Sequence, residues 1–250
     1  MTHSNAPSSS SVLIAPYGGR LVNLLVPPEE CQAALERAGT LASVQLSPRA
    51  LCDLEMLTTG AFSPLDRFMG QSDYTRVVHE MRLADGILFP IPITLPVAAE
   101  DRVEIGKELA LRSPTNEVLA IMRVDEAFEW SLAEEAQGVY GTADARHPLV
   151  AEMHGWGRTC ISGPLTLLAL PKHLDFVELR HTPAQVRSAL TQMGHARVVA
   201  FQTRAPLHRA HEELTKRAAR DVGGALLIHP AVGMARPGDV DHYTRVRTYR

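Results

Sequence analysis

Cysteine is scarce in this chain of 250 residues, which holds only Cys31, Cys52 and Cys160. Their odd number, wide spacing and lack of any Cys-x-x-Cys pair leave no basis for a disulfide framework, a thiolate zinc site or a redox dithiol. Reduced thiols in a cytoplasmic setting are the expectation. Neither sign of charge dominates, since 25 Lys and Arg stand against 28 Asp and Glu, for a formal net charge of -3. Aromatics are also few, at 5%. The chain therefore lacks the basic, aromatic-laced stripe that binds a polynucleotide and has no general attraction to an anionic membrane, so any anion binding has to be local. No apolar run reaches the length of a membrane span. Residues 1–11 are Ser-rich and polar, without the basic start and apolar stretch of a secretory leader, and are expected to be a disordered tail.

Apolar side chains are plentiful, at 45% with 21% charged, enough for a substantial core in one large or two small domains. Between Val12 and Val26 apolar pieces broken by Pro16, Gly18 and Gly19 read as extended segments around a turn. Helices are expected over Glu29 to Ala38, from an Ser47 cap to about Thr58, over Asp73 to Met81 behind Ser72, and over Ser131 to Tyr140. Strands are expected at Leu41 to Leu46, Val103 to Ile105, Leu109 to Leu111 and Val118 to Val124, and as a pair within Arg158 to Leu170. The prolines between Leu88 and Val97 allow an edge strand at most. Gly141 to Gly157 reads as a polar stretch in which His147 and His154 have structural or exposed roles. Short strands mixed with a few helices predict a barrel-like α+β domain over residues 12–172.

The pattern changes near residue 173. A helix with Thr182 as cap and Pro183 in its first turn is followed by a strand at Val198 to Phe201, a helix at His208 to Arg220 and a strand at Ala225 to His229. A last helix starts at about Asp241, with Asp239 or Asp241 as its acidic cap. This alternation predicts a parallel α/β sheet over residues 173–250. About seventy residues with two strands is small for a nucleotide-binding domain. An incomplete domain is expected, and Tyr243, Val246 and Tyr249 at helical spacing would face the sheet that completes it.

Ligands of such sheets sit beyond the carboxyl ends of the strands, where Gln202-Thr203-Arg204 and His229-Pro230 lie. The next helix begins with unpaired N–H groups and a positive dipole end, which favour an anion. Arg204 brings a planar five-donor fork, Gln202 and Thr203 bring neutral donors, and His208 and His211, three residues apart, fall on one helix face. The cluster suits phosphate or sulfate. Asp239, Asp241 and His242 can be read as a metal cluster, but an acidic helix cap explains the aspartates more simply, so no protein-bound metal is expected.

Ordered motifs then carry a resemblance. Gln202-Thr-Arg-x-Pro-Leu-His-x-x-His211, Leu227-Ile-His-Pro230 with Gly233, and Gly238-Asp-x-Asp-His-x-Thr-Arg-Val-Arg247 resemble the ATP sulfurylase (sulfate adenylyltransferase) family. So do Leu21-Val-Asn23, Cys52-Asp-Leu-Glu55, Gly60-Ala-Phe-Ser-Pro-Leu65, Asp85-Gly86, Pro90-Ile-Pro-Ile93, Val139-Tyr-Gly-Thr142 and His147-Pro148 in the first part.

The resemblance implies an α+β PUA-like β-barrel domain followed by an incomplete α/β Rossmann-like nucleotidyltransferase domain. It implies ATP and sulfate as substrates, adenosine 5′-phosphosulfate and pyrophosphate as products, and Mg2+ accompanying the nucleotide. Gln202 and Arg204 would hold sulfate, Thr203 would position the transferring group, and Gln202, Thr203, Arg204, Ala205, His208 and His211 would line the ATP site, with Thr203, Arg204 and His208 closest to catalysis. Ala205 departs from the pattern, where the family has Asn, and a later Gly-Arg-Asp motif of the family would lie beyond Arg250. Low activity of the chain alone is therefore expected. A non-catalytic, anion- or nucleotide-binding remnant or a regulatory partner of a full-length enzyme is the competing reading. A homo-oligomer, or a second chain completing the catalytic domain, is the expected protein partner; nucleic acid and membrane are not.

Overall fold

The computed structural model describes residues 13–232 and 238–250; the tail of residues 1–11 and Gly233 lie outside them. The described residues form two compact units, one of residues 15–184 and one built on residues 185–250.

The first unit runs through a 3-10 turn at Tyr17–Gly19, α1 (Pro28–Ala38), β1 (Ala42–Gln45), α2 (Pro48–Thr59), α3 (Gln71–Glu80), β2 (Leu95–Val97), β3 (Glu108–Arg112), β4 (Val118–Arg123) and β5 (Glu126–Glu129). It continues with α4 (Leu132–Tyr140), α5 (Pro148–Met153), β6 (Thr159–Ser162) and β7 (Leu165–Leu167), and a 3-10 turn at Val177–Leu179. The strands make a four-stranded sheet in the order β1-β3-β4-β7 and a three-stranded sheet in the order β2-β6-β5. Only β1 and β3 pair parallel; the other pairs are antiparallel.

The period of two along β3 and β4 explains how the larger sheet is held. Leu109, Leu111, Ala120 and Met122 enter the main core with Leu54, Leu57, Phe68 and Ile161. The intervening Ala110 and Ile121 point the other way, onto Ala34 and Ala38 of α1. Helix α2 illustrates the local rules. The Ser47 hydroxyl accepts from Ala50 N at 3.1 Å, Pro48 takes the first position, and Gly60 ends the helix at φ 90°. Its buried residues Ala50, Leu54, Leu57 and Thr58 share one stripe facing the core.

Several expectations are corrected. Gly70, not Ser72, stands at the start of α3. Val103 to Ile105 is not a strand, because the chain turns at Gly106 (φ +83°) and leaves Ile105 exposed. β5 was not foreseen, and within the polar stretch Pro148–Met153 forms α5, flanked by His147 and His154, with Val150 and Met153 buried in a small cluster with Ala136. His147 stacks on Tyr140 with centroids 5.0 Å apart, while His154 is exposed.

The second unit contains α6 (Pro183–Gln192), β8 (Val198–Thr203), α7 (Arg209–Val222), β9 (Ala225–Pro230) and α8 (His242–Arg247). β8 and β9 pair parallel, with Val198 opposite Ala225 and Thr203 opposite Pro230. Gly223 (φ 58°) ends α7 with its N–H on the Ala219 and Arg220 carbonyls. Gly224 then passes so close to Arg197 that a Cβ there would lie 2.6 Å from the Arg197 carbonyl oxygen. Among the described residues of this unit, Val246 is the only buried apolar side chain. Both strands are largely half-exposed.

Candidate functional site

β8 delivers its polar residues at its carboxyl end. Gln202 is exposed and lies opposite His229, itself exposed, in the β8–β9 register. Thr203 is buried, and its carbonyl accepts from Ala231 N at 2.8 Å, which carries the ladder past the strand ends. Its hydroxyl accepts from Ala205 N at 3.0 Å. That side-chain bond to a backbone amide two residues on folds the chain into a tight turn.

Arg204 at this turn pairs its Nη2 with Asp239 Oδ2 at 2.8 Å. After Pro206 the chain enters α7. His208 is the N-cap and makes no side-chain capping bond, so the helix begins one residue later than the periodicity predicts. The His208 and His211 rings nevertheless meet, with centroids 3.7 Å apart and planes 31° apart. His211 also packs on Phe201 of β8 at 5.6 Å, and its Nδ1 is buried without a hydrogen-bond partner. Two imidazoles, the amides of a first helical turn and a guanidinium thus share one strand-exit loop and helix start, a set able to hold a multiply charged anion.

The segment around α8 supports this loop, and that role was not legible beforehand. Asp241 is the cap, its Oδ1 accepting from Thr244 N at 2.9 Å, and that amide holds its carboxyl below the usual range. Asp239 is thereby left to pair with Arg204. Arg245 donates from Nη1 to the carbonyls of Arg204 at 3.0 Å and Ala231 at 2.8 Å. Thr248 Oγ1 accepts from Leu207 N at 3.0 Å, and the Tyr249 hydroxyl donates to the Ala205 carbonyl. The expected apolar face of Tyr243, Val246 and Tyr249 is corrected: the helix stops at Arg247, Tyr243 is exposed, and Arg245 is buried beside Val246. The one signal was an arginine within a segment of apolar spacing.

Two other features lie in the unit of residues 15–184. A cavity of about 310 Å³ between α3 and the start of α4 is lined by Tyr74, His79, Trp130 and Glu134 among others, and by none of the expected site residues. Deeper, Arg49 reaches Asp53 at 3.4 Å and lies 3.9 Å over Trp156. Burial pushes Asp53 up to about 6 against the pull of Arg49, and pushes the Cys160 thiol up to about 12. A thiol so held is not a nucleophile. Among the described residues no group of three or more His, Cys, Asp or Glu side chains is placed to hold a metal ion. Nor is any helix there long and apolar enough to cross a membrane.

The PUA-like domain family matches residues 14–170, and the ATP-sulfurylase family matches residues 177–250. Sulfate adenylyltransferase of Mycosarcoma maydis is 44% identical over 243 residues, covering 94% of this chain and 42% of that protein. Sulfate adenylyltransferase of Schizosaccharomyces pombe is 46% identical over 219 residues, covering 86% of this chain and 45% of that protein. A solved structure titled hexameric APS kinase from Thiobacillus denitrificans matches with a TM-score of 0.76 at 34% identity, over 95% of this chain and 43% of that one. The chain spans less than half the length of these relatives. With a PUA-like match over more than half of its length, followed by a segment that matches ATP-sulfurylase, the chain belongs to the PUA-like domain family.

Proposed function

We propose that the β8 exit is the sulfate and ATP-phosphate site of a sulfate adenylyltransferase. The observation that carries this is the approach of His208 and His211 to 3.7 Å at the head of α7, next to the Thr203-Arg204 turn, inside the segment that matches ATP-sulfurylase. A sulfate oxygen attacks the α-phosphorus of ATP, the bond from that phosphorus to the bridging oxygen breaks, and pyrophosphate leaves with the electron pair. Sulfate is already ionised, so no general base is required. The work is to hold two anions in line and offset their charge.

In this reading Gln202 and Arg204 hold sulfate, Thr203 positions the transferring phosphoryl group, and His208 and His211 meet the ATP phosphates and the departing pyrophosphate. A guanidinium has five donors, so Arg204 can serve Asp239 and an incoming anion together. Mg2+ enters with the nucleotide phosphates. We read the two sheets of the first unit as a PUA-like barrel, residues 12–172, and residues 173–250 as Rossmann-like nucleotidyltransferase structure.

Ala205 supports a second reading, a non-catalytic nucleotide- or anion-binding module. Its amide is taken by Thr203 and its carbonyl by Tyr249, and its methyl group offers no donor where the family has an amide side chain. One missing transition-state donor lowers a rate by about two to three orders of magnitude. Sulfate-dependent pyrophosphate release, measured with ATP and Mg2+ on this chain and on Ala205→Asn, separates the two. The enzyme reading expects turnover that rises about a hundredfold in the variant. Binding of adenosine 5′-phosphosulfate with no turnover in either chain would leave the module reading, and no binding at all would remove both.

A further inference from the structure

We infer that Arg245 is a positioning residue for the Thr203–Arg204–Ala205 turn: it fixes where the Arg204 side chain and the loop amides meet the bound anion. This rests on the β8 exit being the anion site proposed above.

Arg245 is 1% exposed, yet it sits in a helix of only six residues. A single nitrogen, Nη1, donates to carbonyls of the two segments that leave β8 and β9, Arg204 at 3.0 Å and Ala231 at 2.8 Å. Sharing one nitrogen, with an N–H for each carbonyl, fixes the spacing of the two strand exits, which bound the proposed site. Arg204 is thus held at both ends by one stretch of chain: Asp239 takes its guanidinium and Arg245 its carbonyl. Thr248 and Tyr249 extend the same grip to Leu207 and Ala205. Of residues 204–207, three (Arg204, Ala205 and Leu207) are therefore held from residues 245–249.

Stability alone does not account for an arginine here. A buried guanidinium is heavily desolvated, and apolar side chains of similar volume usually stabilise a fold as well or better. Arg245 Nε is moreover buried without a partner, a further cost. What the guanidinium does, and a methionine cannot, is aim rigid donors at two loop carbonyls from one place. A misplacement of about 1 Å in a preorganised site can cost as much as about a hundredfold in rate.

The test is calorimetric titration of adenosine 5′-phosphosulfate into the full chain as wild type, Arg245→Lys and Arg245→Met, with the melting temperature of each followed by circular dichroism. Titrations are run well below every melting temperature. Arg245→Met is expected to bind about tenfold more weakly or worse, with Arg245→Lys between it and wild type. Millimolar guanidinium chloride should restore part of the Met variant's affinity without raising its melting temperature. A folded Met variant that binds within twofold of wild type overturns the inference. So does an affinity loss that guanidinium does not recover and that the Lys variant shares in full. If the Met variant does not fold, a Lys variant with a lowered melting temperature and wild-type affinity overturns it as well. No binding by wild type removes the proposed site itself, and this inference with it.

Discussion

Glu135→Gln stabilises the unit of residues 15–184 at alkaline pH far more than at pH 5. Glu135 is 2% exposed in α4, and burial pushes its carboxyl from an ordinary 4.5 up to about 7, against the pull of the Tyr74 hydroxyl and the Arg49 charge. Tyr74 Oη makes no well-formed hydrogen bond, so that opposition is weak. An acid whose folded pKa is raised binds its proton more tightly in the native state. Its contribution is whole below pH 4.5 and is lost as pH climbs through 7. At 1.36 kcal/mol per pH unit the ionising carboxyl costs the fold about 1 kcal/mol at pH 5 and about 3 kcal/mol at pH 8. Glutamine never charges, so its advantage over glutamate should grow by about 2 kcal/mol between these pH values.

Urea unfolding followed by tryptophan fluorescence reads this directly. Trp130 and Trp156 are the chain's two tryptophans, both lie in this unit, and their rings are 5.5 Å apart. The signal therefore follows one unit whatever the other does. An equal difference between variant and wild type at both pH values, or a variant less stable at pH 8, would refute the desolvation argument.

Ser47→Ala removes the hydroxyl that accepts from Ala50 N, and should lower the unfolding free energy of the same unit by about 1 kcal/mol in the same assay. Gly224→Ala places a methyl group 2.6 Å from the Arg197 carbonyl oxygen, a backbone atom that cannot rotate away. Hydrogen exchange of the Val198 to Phe201 amides should quicken at least tenfold in that variant, with the β2–β6 amides unchanged.

Much of this fold was legible because its signals are local. Ser47 and Ser131 cap helices through amides three residues on, and Gly39, Gly60 and Gly141 mark helix ends. The β8–α7–β9 alternation followed from β-branched runs separated by a polar helical period. What failed depends on distant partners. α5 has six residues and little helical pattern; burial of Val150 and Met153 beside Ala136 holds it. Val103 to Ile105 has strand composition but finds no ladder, since Gly106 turns the chain away.

The candidate site divides in the same way. His208 and His211 could be paired from their spacing, and Arg204 from its place after a strand. The grip of Arg245 on Arg204 crosses 41 positions and that of Tyr249 on Ala205 crosses 44, beyond any periodicity argument. Asp239 and Asp241 looked interchangeable as caps in sequence. Only the observed bonds assign the cap to Asp241 and the arginine to Asp239.

That separation has a consequence for the order of synthesis. Domains of a growing chain fold as their residues emerge, at roughly 5–20 residues per second. β8, α7 and β9 emerge before residues 239–249, so the parallel pair can form while the Arg204 turn still lacks its external bonds. For a few seconds at such speeds the nascent unit would have its strands but not the bonds that fix the Arg204 turn. If that turn is the anion site proposed above, a newly made molecule would pass through an inert interval until α8 emerges and docks.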